Sequence, residues 1–289
     1  PAHRHVNGKG WVADTANVAD SVYVGPRCAV YNFARVDGSV RLEGNVRVFG
    51  HSYVSGNVIA KEDAHIFGRA VVRDTTQIRG TAIITGNALV SGASQIFGSF
   101  RVHDRAHVAD SLLNGRGQIS GDGHVIRSAL NGNVNISGRA IAINATLTNT
   151  VEVLGYAQIL NSTVQPPPVS QLNNPGSAVP SVLVEDFAII VDNAQILVPL
   201  EIKNHAMVVR STFTGSDYTN STRLILHNQM IAFQRRYISY TDLAAFIASF
   251  DARGNSPHLP QPAPPVTRAP VQIVPGARRM MRMQEEVTT

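Results

Sequence analysis

The side chains best suited to acid–base or metal chemistry in this chain are histidines, whose imidazole titrates near neutrality and can take a proton from a hydroxyl or ligate zinc. Six stand as candidates: His51, His65, His103, His107, His124 and His205. Cys28 is the sole cysteine, so an intrachain disulfide and a thiolate metal cluster are both excluded. No Gly-rich nucleotide loop, Ser-centred elbow or paired-carboxylate motif stands out, and no cofactor is expected. What the histidines can do depends on the scaffold that holds them.

That scaffold is poor in helix-stabilising residues. Of 289 residues 44% are hydrophobic, enough for a buried core, while charged residues make up only 16% and aromatics 6%, and glycines number 23. This mixture favours strands and turns. The net charge of +5 raises the question of a nucleic-acid partner. The basic residues are scattered, with concentrations only at Arg235-Arg236 and at Arg278, Arg279 and Arg282, and no aromatic stripe interleaves with them. A nucleic-acid partner is not expected. No apolar run reaches the roughly 18 residues of a membrane span, and the N-terminus lacks the charged-then-apolar order of a signal peptide. The chain reads as soluble, cytoplasmic at synthesis and without a membrane partner.

A period of six organises the sequence. Stepping from Val12 by sixes gives Val18, Val24, Val30, Val36, Leu42, Val48 and Val54, and continues through Ile66, Val72, Ile78, Ile84, Val90, Ile96, Val102 and Val108, with only Ala60 small. Two residues before each of these rungs stands a mostly small side chain, such as Cys28, Ala34, Ala64 or Ala88. Positions two apart on a strand share a face, so both point inward. Two residues after each rung stands a turn former, among them Asn32, Gly38, Gly50, Asp74 and Asp104. Short strands with a bend every six residues predict a triangular prism with about 18 residues per coil, in which each coil pairs with the next at roughly 4.8 Å. His103 and His107, four apart, do not occupy equivalent places on such a coil. A metal shared between them would require a bend in the intervening chain.

Beyond Asp110 the register slips, then partly recovers at Ile119, Val125, Ile141, Leu147, Val153 and Ile159, which predicts irregular coils. The chain therefore divides into a β-helix over 1–164, a Pro-rich protruding loop over 165–181 and resumed coils over 182–212. A cap follows over 213–256. In it, Leu224-Ile225-Leu226 and Met230-Ile231-Ala232-Phe233 are expected to form a hairpin, with a short helix over Leu243 to Phe250. Residues 257–289 are Pro-rich and basic, with too little apolar periodicity to fold alone, and read as an extended arm.

An aliphatic residue followed four positions later by a small one resembles the hexapeptide-repeat superfamily over residues 10 to 110. The resemblance implies the fold class: all-β, a left-handed parallel β-helix, an exception to the usual right-handed crossover. It also implies a homotrimer. Acyltransferases of this superfamily use acyl-CoA and hold a catalytic histidine in a cleft between subunits, which makes His103 and His107 the catalytic candidates. A branch resembling carbonic anhydrase holds zinc by three histidines, but His103 and His107 are four apart where that branch has five, and no third histidine joins them. Runs such as Gly44-Asn45-Val46-Arg47-Val48-Phe49-Gly50 and Ser55-Gly56-Asn57-Val58 are similar to phage- and prophage-encoded repeat proteins often labelled transferases.

Stacking outward positions by eighteen places Tyr31, Phe49 and Phe67 in one column, beside polar columns such as Asp37, Ser55 and Arg73. An aromatic stripe on a prism side is expected to meet another subunit. In the arm, Val271, Ile273 and Val274 can add to a sheet edge, and Arg278, Arg279 and Arg282 can meet an acidic surface. The resulting expectation is a non-enzymatic virion structural protein of the capsid decoration or cement type, clamped to other virion proteins by its arm and loop. A trimeric acyltransferase and a tail or fibre component are the alternatives.

Overall fold

The structure, a computed structural model, describes residues 1–167 and 181–213 and the strands Leu224–His227, Met230–Ala232 and Arg235–Tyr237. The Pro-rich stretch 168–180, the expected helix over 243–250 and the whole arm lie outside these residues. The described residues form strands and turns with no helix. Successive coils pair in parallel at the predicted register: Val12 lies beside Val30, Val30 beside Val48, Val18 beside Val36 and Val24 beside Leu42. Each coil thus has three sides, and we number them in the order in which the chain meets them at Val12, Val18 and Val24.

The core is the stack of rungs. Val30, Leu42, Val54, Ile66, Ile78, Ile84 and Val90 are fully buried, as are the small residues Ala34, Ala64 and Ala88 two positions before neighbouring rungs. Each large aliphatic so buried stabilises the fold by about 1.5–3 kcal/mol. Ala60, the one small rung, is partnered two residues earlier by buried Val58, which fills the space instead. Cys28 takes a small inward position, its thiol 3.4 Å from the Gly44 carbonyl, and burial pushes its pKa up. The corners need left-handed backbone: Asn32, Asp74 and Asp104 adopt φ of 59°, 66° and 60°. Gly38 is also held there by crowding, since a Cβ on it would lie 2.7 Å from the Gly56 carbonyl oxygen one coil on.

The slip beyond Asp110 is a regular shortening. Ile96 pairs with Leu113, Leu113 with Leu130 and Leu130 with Leu147, so these coils advance by 17 residues. The missing residue comes from the corner after the second side, where Asp110, Arg127, Asn144 and Asn161 take φ near 50°. A buried serine follows three of these turns, at Ser111, Ser128 and Ser162, and buried Ala145 follows the fourth. Ser128 Oγ donates to the Ile126 carbonyl at 2.9 Å and accepts the Ala145 N–H at 3.1 Å, so the shortened corner leaves no orphaned backbone group there. The corner between the third and first sides straightens instead, giving the long strands Gln95–Val102, Leu112–Ile119, Ala129–Ile136 and Thr146–Val153.

The Pro-rich segment is an insertion into one such strand. Thr146–Val153 pairs at its start with Thr163–Val164 and at its end with Val182–Val184, so the Pro-rich segment lies in sequence between the two. At the C-terminal end the expected hairpin is not the pairing found. Leu224–His227 pairs in parallel with Leu200–Lys203 on the first side, and Met230–Ala232 pairs in parallel with Met207–Val209 on the second. The two runs therefore belong to different sides of one further coil among the described residues and do not pair with each other. The antiparallel partner of Met230–Ala232 is Arg235–Tyr237. The N-terminus does the same job at the other end: Ala2–Arg4 runs antiparallel to Trp11–Ala13, and Asn7 and Gly10 bond the backbone of Val24 on the third side. Val18, on the second side of that first coil, is correspondingly only partly buried.

Candidate assembly surface

The structure separates His103 from His107. His103 follows the first-side strand, one quarter exposed, with Nδ1 3.1 Å from Asp104 Oδ2. Asp104 also accepts the Gly121 N–H at 2.9 Å, and that bond, followed by the one from His103, holds its carboxyl below the usual range. His107 lies in the second-side strand His107–Ala109, its ring edge-on to His124 at 5.7 Å and its Nε2 3.5 Å from Ser91 Oγ. Burial, then His124 and Arg73, push the His107 pKa down. Among the described residues no three His, Cys, Asp or Glu side chains converge to hold a metal ion. Of the other candidates, His51 stacks on Phe33 at 5.1 Å and His205 on Phe187 at 5.1 Å. His65 stands between Arg47 and Ile83 on neighbouring coils.

The aromatic column is present. Tyr31, Phe49 and Phe67 stack ring on ring at 4.8 and 4.6 Å with planes 3° apart, each half-buried. Apart from Trp11 in the first strand of the solenoid, the exposed aromatics among the described residues gather on the corner between the first and second sides. Phe33 there is 62% exposed, Tyr156 43% and Phe187 42%. Tyr156 and Phe187 stack at 5.0 Å, the Arg139 guanidinium lies 5.5 Å from the Tyr156 ring, and Arg105 meets Asp122 with two bonds of 2.6 Å. The corner is a ladder of charges and rings along the solenoid axis.

Sequence reasoning missed the second side itself. In the early coils its strands alternate, as in Arg35-Val36-Asp37, with the rung inward and polar residues outward. Lower down the outward positions turn apolar: Ile141–Ile143, Ile189–Val191 and Met207–Val209 are apolar throughout. Continuous apolar strands are those covered on both faces, whereas alternation marks a solvated face. The signal lies in these aliphatic triplets and not in the aromatic residues. Outward-facing Met207 and Val209 are 6% and 8% exposed, while Ile126, Ile141, Ile143 and Leu160 are half-buried. The expected contact residues Val271, Ile273, Val274, Arg278, Arg279 and Arg282 lie outside the described residues.

Fold and surface together define a three-sided parallel β-solenoid with one laterally apolar side. No family model matches the chain, and no curated protein matches it in sequence.

Proposed function

We propose that this protein is a non-enzymatic structural component of an assembly, a phage virion protein that decorates or cements the capsid as a homotrimer of the hexapeptide-repeat, left-handed type. The observation that carries this reading is a solenoid of described coils with an added antiparallel strand at each end. About 11 coils at roughly 4.8 Å make a rod of about 50 Å. Open strand edges at either end would invite further strands. Antiparallel Ala2–Arg4 covers the first-side edge at one end and Arg235–Tyr237 the second-side edge at the other, which favours contact with neighbours through the sides of the rod. The stacked column of Tyr31, Phe49 and Phe67 and the exposed corner rings are such lateral features.

The test is association with particles. The protein is expected to co-purify with virions in stoichiometric amount, and deletion of residues 257–289 to abolish that association while leaving the melting curve unchanged. Replacing Tyr31, Phe49 and Phe67 together with Ser should weaken the trimer. Turnover of an acyl-CoA by the wild-type protein, lost on substitution of His103 or His107, would overturn the structural reading in favour of a transferase.

A further inference from the structure

The lower part of the second side is built like an interior and faces outward. From His107–Ala109 to Ile189–Val191 its strands carry no Asp, Glu, Lys or Arg, and their outward polar groups are His107, His124 and Gln158. We infer that this strip binds the same strip on a second copy of this chain. The inference names the partner within the proposed structural role, and rests on that role only for its place in an assembly.

Three observations select a second copy over another occupant. First, the charges bordering the strip are of both signs on both sides. Arg105, Asp122 and Arg139 line one corner, and Asp110, Arg127, Asp192 and Arg210 follow the other, with Arg210 2.7 Å from Asp192. A neutral centre with mixed rims suits a partner of the same pattern, since a strongly charged one would meet like charges along either rim.

Second, the outward side chains repeat along the axis at the coil spacing of about 4.8 Å. A second copy has the same repeat, so its ridges enter the furrows of the first along the whole strip. A helix, with a pitch of about 5.4 Å, falls out of step within a few turns. Third, the strip is continuous with the exposed rings of Tyr156 and Phe187 on the bordering corner. The corner rings widen the strip towards the roughly 800 Å² per partner of a stable interface.

Sedimentation of the full chain tests this. The wild type is expected to self-associate, and Ile143→Glu with Leu160→Glu to raise its dissociation constant at least about ten-fold by placing charges in the apolar contact. Ile143→Thr with Leu160→Thr, which keeps strand-favouring side chains, should act in the same direction with unchanged circular dichroism. Asn114→Glu, at an exposed position on the third side, should leave association intact. A wild type that is monomeric at all concentrations, as when the strip is covered by the chain's own C-terminal residues, would overturn the inference. So would strip variants that associate like wild type. A protein that self-associates through the strip yet is absent from particles would instead remove the virion role and leave this contact standing.

Discussion

The ring of Phe100 occupies the space left open by Gly117 one coil on: a Cβ on Gly117 would lie 2.8 Å from Phe100 Cε1. Phe100 is fully buried and sits two residues before rung Val102, where earlier coils hold the smaller Gly10, Cys28, Val46, Ala64 and Ala82. A large side chain in one coil is thus matched by none in the next. Phe100→Ala should destabilise the fold by about 3–5 kcal/mol, and Gly117→Ala by at least about 1–3 kcal/mol, because its Cβ would run into the Val134 carbonyl oxygen of the next coil as well as the Phe100 ring. Chemical denaturation of both single variants measures this, and equal stability of Gly117→Ala and wild type would contradict the packing.

Rung and outward positions should respond oppositely to charge. Val72→Asp or Ile84→Asp places an unpaired carboxylate among fully buried neighbours and should destabilise by about 3–5 kcal/mol. Arg73, whose side chain is 52% exposed and 3.8 Å from Asp74, should tolerate Ser within about 0.5 kcal/mol. Comparable melting temperatures for the two classes would mean that the register is wrong.

The shortened corner depends on its serines. Ser128→Ala removes the acceptor of the Ala145 N–H in a buried place, which should lower stability by about 1–3 kcal/mol. Amide hydrogen exchange at Ala145 gives the local readout, and it should quicken in the variant.

Acidification should loosen the second side. His107 binds its proton less readily in the folded chain than its ordinary value near 6.5, through burial and then the nearby His124 and Arg73. A depressed folded pKa means that the unfolded chain takes up the proton first. The stability His107 contributes is therefore full above about pH 6.5 and is lost as pH falls through 6.5 towards the folded value. His107→Asn should flatten this part of the curve of urea midpoint against pH, and self-association through the strip should weaken over the same range. Parallel curves for variant and wild type would assign the loss to other groups.

The six-residue period, the identity of the rungs, the small inward residues and the corner residues were all legible in the sequence. Each is set within one hexad, where strand alternation and the left-handed backbone of Asn, Asp or Gly act locally, and repetition makes the pattern plain. Three things were decided only by coils meeting one another. The 17-residue coils arise because Val108 and Leu113 must each find a partner in the preceding coil, and the tight turn at Asp110 with buried Ser111 reaches that register with one residue fewer. Leu224–His227 and Met230–Ala232 look like a hairpin in isolation, yet Leu200–Lys203 and Met207–Val209 offer each a free edge on a different side, and parallel addition satisfies more backbone than reversal would. The apolar strip forms because Ile143, Leu160 and Val191, far apart in the chain, fall into one column once coils of unequal length are stacked. A fixed step of eighteen cannot find that column, because its alignment depends on which corners have lost a residue.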